Sequence, residues 1–292
     1  MYREEDVVFT SDGLKITGIL RLPEDAVDSE PRPAFAILHG FGSNKSAGNV
    51  FGACDFLTDL GYATLRFDMR GCGDSEGETG RLICLEQVED TKSAVSFLQT
   101  RPEIDPGRIA LIGSSFGAAV AIYTGGVDTR VAAVISSGGW GDGESKFQGQ
   151  HPTPEAWAKF TAMLEKGRKH REKTGESLMV PRYDIVPIPE HLRKNLAQHS
   201  VAMFPAETAQ SMYDFRANDV VGQIAPRPLL LLHSSDDSVT PTQQSIELFN
   251  WAGQPTDLHL FSETDHFMFA EKNIRVRTVI SDWLALFFPI GI

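Results

Sequence analysis

The chain has 292 residues, 41% of them apolar and 23% charged, with a formal net charge of -12. That length can bury a full core, and the apolar and charged shares are those of a globular protein rather than a disordered or fibrous one. The acidic excess argues against a nucleic-acid partner, since phosphates are bound by clustered Lys and Arg, and no apolar run reaches the roughly 18–20 residues that cross a bilayer.

Only three cysteines are present, Cys54, Cys72 and Cys84. They are too few and wrongly spaced for a disulfide framework or a zinc site, so neither a metal nor another cofactor is expected. The opening MYREEDVVFT lacks the basic and apolar regions of a secretory leader, and the expected setting is cytoplasmic.

Two β-like runs come first, Asp6 to Thr10 and Leu14 to Leu22, separated by the turn-forming Ser11-Asp12-Gly13. Pro31-Arg32-Pro33 ends an acidic loop and launches the apolar run Ala34 to Leu38, short and apolar on both faces like a buried parallel strand. A helix over about Ala47 to Leu60 precedes a strand from Tyr62 to Phe67. Glu86 to Leu98 follows as a helix, Arg108 to Ile112 as a strand, Phe116 to Tyr123 as a helix and Val131 to Ile135 as a strand. Further on come strand Pro228 to Leu232, helix Gln243 to Trp251, strand Asp257 to Phe261 and a closing helix from about Lys272 to Leu286. Such alternation predicts an α/β fold with a mostly parallel sheet and an N-terminal antiparallel hairpin.

Between Gly138 and Ile224 the alternation stops. A structureless loop of that length is improbable in a compact domain, so the segment 139–223 is expected to be a helical cap inserted into a core of residues 1–138 and 224–292. Its basic run, Lys159 to Lys173, reads as a solvated helix face. Trp140, Trp157, Phe160, Met203, Phe204 and Tyr213 are its candidates for lining an apolar substrate pocket.

The strongest local signal is Gly113-Ser114-Ser115-Phe116-Gly117, set between a predicted strand and a predicted helix of small residues. That context marks a nucleophile elbow with Ser115 as the nucleophile. A serine hydroxyl needs a base, and the base needs an orienting acid; in this architecture they follow in the order Ser, acid, His. His266, after the strand ending at Phe261, is the candidate base. The acid lies in His233-Ser234-Ser235-Asp236-Asp237, where Asp236 and Asp237 compete; Asp265 is too close to His266 in sequence to serve it. His39-Gly40-Phe41-Gly42, after the first buried strand, can present the Phe41 amide to a developing oxyanion, and Phe116 presents the second.

With these residues the sequence resembles the α/β-hydrolase superfamily, most closely its bacterial cinnamoyl and feruloyl esterases and acylaminoacyl-peptidase-like hydrolases. The resemblance rests on His39-Gly40-Phe41-Gly42, the run from Asp68 to Gly77, the elbow, the acid loop and Asp265-His266-Phe267. It implies that the aspartate four residues past the loop histidine, Asp237, is the triad acid, and that Arg70 in the Asp68–Gly77 loop is held in polar contacts. The expected activity is hydrolysis of carboxylic esters by Ser115, His266 and Asp237 through an acyl-enzyme, with a small-molecule ester or related acyl compound as partner and a homodimer as the one candidate assembly. The alternatives are an amidase, peptidase or carbon–carbon bond hydrolase with the same triad, or a non-catalytic small-molecule receptor on the same fold.

Overall fold

The computed structural model describes residues 2–24, 30–270 and 273–291. Most of the acidic loop ahead of Pro31, and Lys272, where the last helix was expected to begin, lie outside the described residues. Strands β1 (Tyr2–Ser11) and β2 (Leu14–Pro23) form the expected hairpin. Its two-residue turn, Asp12-Gly13, has φ of +48° and +82°, the doubly left-handed backbone that matches the twist of two paired strands. After them come β3 (Arg32–Leu38), α1 (Gly48–Asp59), β4 (Ala63–Phe67), α2 (Cys84–Gln99), β5 (Ile104–Ser114), α3 (Phe116–Val127) and β6 (Val131–Ser137).

The segment that breaks the alternation holds α4 (Gly143–Gln150), α5 (Pro154–Thr174), β7 (Met179–Pro181), α6 (Arg182–Ile185), a 3-10 turn (Glu190–Asn195), β8 (Met203–Pro205), α7 (Ala206–Asp214) and α8 (Asn218–Val221). Alternation then resumes with β9 (Leu229–Ser234), α9 (Gln243–Trp251), β10 (Thr256–Phe261) and α10 (Ile274–Phe287).

The sheet order is β1-β2-β4-β3-β5-β6-β9-β10. Within this eight-stranded sheet the β1–β2 and β2–β4 pairs are antiparallel and the pairs along β4-β3-β5-β6-β9-β10 are parallel; β7 and β8 pair antiparallel in a sheet of their own. Because successive side chains point to opposite faces, each central strand feeds two cores. Ala34, Ala36 and Leu38 of β3 join one apolar cluster with α2, α3 and the segment 139–223, while Phe35 and Ile37 join a second with α1 and α10. The chain leaves β3 toward β4 and returns on the other side as β5. The strand ends β3 and β5 therefore flank the switch point where open α/β sheets bind their ligands.

Helix α5 carries the signals that start and stop a helix. The Thr153 side chain accepts from the Ala156 amide, Pro154 occupies the first turn, and Gly175 closes the helix at φ +76°. Its basic run is interleaved with glutamates: Glu165 pairs with Arg168 and Lys169, and Arg168 also pairs with Glu172. These neighbours three and four residues apart make a solvated face, as the sequence led one to expect.

A buried lysine stands out in α4. Lys146 of α4 is 2% exposed, its Nζ has no hydrogen-bond partner among the described residues, and it sits 3.7 Å from the ring centre of Phe147. Burial pushes its ammonium down to about 7. The unfolded chain thus binds more protons between pH 7 and the ordinary lysine value of 10.5, so stability rises with pH across that window. This group contributes on the order of 5 kcal/mol to the rise. Lys146→Met is expected to raise the thermal midpoint at pH 7 and to flatten the rise toward pH 10. Calorimetry of both proteins over that pH range checks it, and equal slopes would contradict it.

Candidate active site

The elbow is built by crowding. Ser115 sits at φ +56°, ψ -116° between β5 and α3, a backbone region sparsely populated by any residue but glycine. The turn is this sharp because both flanking glycines are packed on backbone. A Cβ on Gly113 would lie 2.2 Å from the Gly117 carbonyl oxygen, and one on Gly117 would lie 2.5 Å from the carbonyl oxygens of Leu38 and His39. The Ser115 amide is anchored to the Ser137 carbonyl at 2.8 Å. The strain holds the hydroxyl clear of the sheet at the positive end of α3.

His266 follows β10 and is 3% exposed. Its Nδ1 lies 2.8 Å from Asp237 Oδ2 and 3.1 Å from Oδ1. A carboxylate only accepts, so Nδ1 carries the proton and Nε2 is left as the basic nitrogen. Asp237 is fixed in turn: its Oδ1 accepts the amides of Val239 and Thr240, each at 2.8 Å, and His233 Nε2 lies 3.3 Å from Oδ2. Burial works to raise this carboxyl, but the charge of His266 and the hydrogen bonds from His233 and His266 outweigh it and hold the group well below the ordinary carboxylate range. Of the two competing aspartates, Asp236 is exposed and makes no contact with His266. Asp265 has a different task. It accepts from the Ser238 amide and hydroxyl and from the His266 amide, tying the acid loop to the histidine loop.

The turn after β3 carries one of the two candidate amides, that of Phe41, and the start of α3 carries the other. His39 is buried, its Nε2 accepts the Met69 amide at 3.1 Å, and its Nδ1 donates to the Gly40 carbonyl at 2.9 Å. Burial lowers its basicity, so the ring is a neutral brace for the turn rather than a base. The Phe41 amide makes no hydrogen bond among the described residues. Phe116 is the first residue of α3, where an amide has no intrahelical acceptor. The run after β4 is a brace of the same kind: Arg70 donates to Asp90, Asp12 and Ser11, joining the hairpin turn to α2.

Ser115, His266, Gly40 and Phe41 line one cavity of about 50 Å³, room for a few waters. None of the six aromatic and methionine residues expected to form a pocket lines it. Trp140, Phe160 and Phe204 are buried in the core shared with the sheet, and Trp157 and Tyr213 pack partly buried against that core. Met203 faces outward. Large apolar side chains gain most by burial inside the segment, which leaves the cavity wall to smaller aliphatic residues. From this segment the wall takes Arg182, Val186, Ile188, Asn195 and Leu196, the first three within the proline-punctuated run Pro181–Pro189. The alternation of apolar residues with prolines there was the available signal. Asn49 was also missed: it donates to the Ser114 hydroxyl and accepts the Ala270 amide, joining the elbow to the histidine loop.

Comparison with known proteins agrees with this architecture. The thiohydrolase aneE of Aspergillus aculeatus is 27% identical over 280 residues, covering 88% of this chain and 84% of that protein. The crystal structure of the α/β hydrolase GrgF from Penicillium superposes with a TM-score of 0.76 at 22% identity, covering 97% of each chain. The ferulic-acid-bound structure of Est1E from Butyrivibrio proteoclasticus gives 0.68 at 18% identity, covering 96% of this chain and 98% of that one. Among the described residues no helix is long and apolar enough to cross a membrane. Residues 29–273 match the family described as serine aminopeptidase, S33, and the chain belongs to that hydrolase family within the α/β-hydrolase fold.

Proposed function

We propose that the protein hydrolyses carboxylic esters of small acyl groups through an acyl-enzyme on Ser115. The observation that carries this reading is the shared cavity: a strained, half-buried Ser115 and a His266 whose other nitrogen is bound to the buried Asp237. His266 Nε2 takes the hydroxyl proton as Ser115 attacks the carbonyl carbon. Asp237 keeps the imidazole oriented and stabilises the imidazolium. The amides of Phe41 and Phe116 receive the oxyanion. As the tetrahedral species collapses, the proton on His266 passes to the departing alcohol. Water then attacks the acyl-enzyme, giving up its proton to His266, and the acid leaves with Ser115 restored.

Residues 139–223 act in this reading as the cap that shapes the pocket. Val186, Ile188 and Leu196 supply the aliphatic part of the wall, which suits a compact apolar acyl group. Thioester cleavage is the second reading. The relative named a thiohydrolase favours it, and the same base and amides serve it unchanged.

A panel of p-nitrophenyl esters from acetate to octanoate, an acyl thioester and an acyl p-nitroanilide tests both. We expect the short esters or the thioester to be turned over well ahead of the anilide; faster anilide cleavage would overturn the proposal in favour of an amidase. Ile188→Ala opens the wall. It is expected to raise kcat/KM for butyrate relative to acetate by roughly tenfold, since one methylene in an apolar pocket is worth about 1–3 kcal/mol. An unchanged ratio would remove Ile188 from the acyl pocket.

A further inference from the structure

Arg182, the first residue of α6, is 4% exposed yet has no acidic partner among the described residues. Its Nη1 donates to the Phe41 carbonyl at 2.7 Å, its Nη2 to the Gly42 carbonyl at 2.9 Å and its Nε to the Val201 carbonyl at 2.9 Å. All three acceptors are neutral. Among the described residues no carboxylate lies within ion-pairing distance of it. The guanidinium also lies 5.4 Å from the ring centres of both Phe41 and Phe204, which stack 4.3 Å apart. Burial lowers its basicity, but a guanidinium stays charged at any working pH.

A buried cation without a counter-ion is costly, and this one lines the same cavity as Ser115. The turn it grips makes room for it. A Cβ on Gly42, at φ +54°, would stand 2.8 Å from Arg182 Nη2 and 2.4 Å from the Phe204 ring. The Gly42 carbonyl is further held by the Val201 amide at 2.8 Å. Thus a residue about 140 positions downstream fixes the peptide next to the one that carries the Phe41 amide.

We propose that Arg182 is a positioning residue of the oxyanion site, clamping the Phe41-Gly42 turn from the cap and leaving its unpaired positive charge beside the place where negative charge develops. Apart from His266, which becomes an imidazolium only when it takes the Ser115 proton, Arg182 is the one cationic side chain lining the cavity among the described residues. In the ground state the carbonyl is neutral and gains little from that charge; in the tetrahedral state the oxygen is an anion in a water-poor cavity and gains much. The cap thereby contributes to the chemistry as well as to substrate shape.

The inference rests on Ser115 being the nucleophile, so its test reads the rate at which a fluorophosphonate labels Ser115. That rate needs the oxyanion site but no choice between ester, thioester and amide. Arg182→Ala is expected to slow labelling by about 10²-fold, the scale of one lost oxyanion interaction, with Arg182→Lys retaining more of the rate because it keeps the charge. Ethylguanidinium added to Arg182→Ala is expected to restore part of the rate, which a merely structural role would not allow. Thermal midpoints of both variants separate slow labelling from unfolding. Wild-type labelling with Arg182→Ala equally fast would overturn the inference and leave the serine-hydrolase reading intact. Slow labelling in both variants without rescue would reduce Arg182 to a structural strut and also overturn it. No labelling of the wild type would overturn the reading of Ser115 itself and this inference with it.

Discussion

Replacing Ser115 with alanine is expected to lower turnover of p-nitrophenyl acetate by about 10⁴-fold or more, with the fold and thermal midpoint preserved. The change removes only the hydroxyl oxygen. The turn itself is dictated by Gly113 and Gly117, whose missing Cβ atoms let β5, α3 and the end of β3 meet at backbone distance. Alanine at φ +56° bears the same strain as serine does, so the elbow survives while the nucleophile does not. A variant retaining most of the activity would move the chemistry elsewhere, for instance to a base-activated water at His266. Initial rates of both proteins at equal folded concentration check this.

The second large effect separates the adjacent aspartates. Asp237→Asn is expected to lower turnover by about 10⁴-fold, because an amide can present its NH₂ to Nδ1 and stabilise the tautomer whose basic nitrogen faces away from Ser115. Asp236→Asn is expected to leave turnover within a few-fold of the wild type, since that side chain is exposed and makes no hydrogen bond to the imidazole. A larger loss in Asp236→Asn would overturn the assignment. Asp237 also couples to stability. Its carboxyl is depressed in the folded protein, so its stabilisation is fully present above the unfolded value near 3.8 and is lost only as pH falls through the lower folded value. Acid unfolding of Asp237→Asn is expected to lack this contribution, and an unchanged acid limb would contradict it.

The core of the fold was legible because parallel strands buried on both faces leave a plain mark. Ala34 to Leu38 and Leu229 to Leu232 are apolar without interruption, and the structure shows why: odd and even positions fill different cores. The hairpin turn was legible for a different reason, since Asp12-Gly13 is the residue pair a doubly left-handed turn requires. Less could be read of β5. It begins at Ile104, not Arg108, and runs through Pro106-Gly107, where local chemistry argues for a break; the strand instead carries on past shifts in register against β3 and β6. Helix α2 likewise starts at Cys84, two residues early, on an Ile83 cap that has no side-chain hydrogen bond to announce it.

At the site, the sequence order of Ser115, Asp237 and His266 was readable because each follows a recognisable strand. The choice between Asp236 and Asp237 was not available from spacing alone. In the structure it turns on which carboxylate meets the amides of Val239 and Thr240 and the imidazole of His266. The cavity wall was misjudged in the segment between β6 and β9, where size and hydrophobicity favoured Trp140, Phe160 and Phe204. Those same properties drive them into the shared core. Arg182, by contrast, is held in place by hydrogen bonds to a turn some 140 residues earlier, and no local pattern encodes a contact of that range.

The most direct measurement on the central claim is peptide mapping by mass spectrometry after treatment with a fluorophosphonate. We predict a single adduct, on the peptide carrying Ser115, absent from Ser115→Ala and strongly slowed in Asp237→Asn. An intact protein that hydrolyses esters yet carries no adduct on Ser115, or carries it on another residue, would contradict the assignment of Ser115 as the nucleophile.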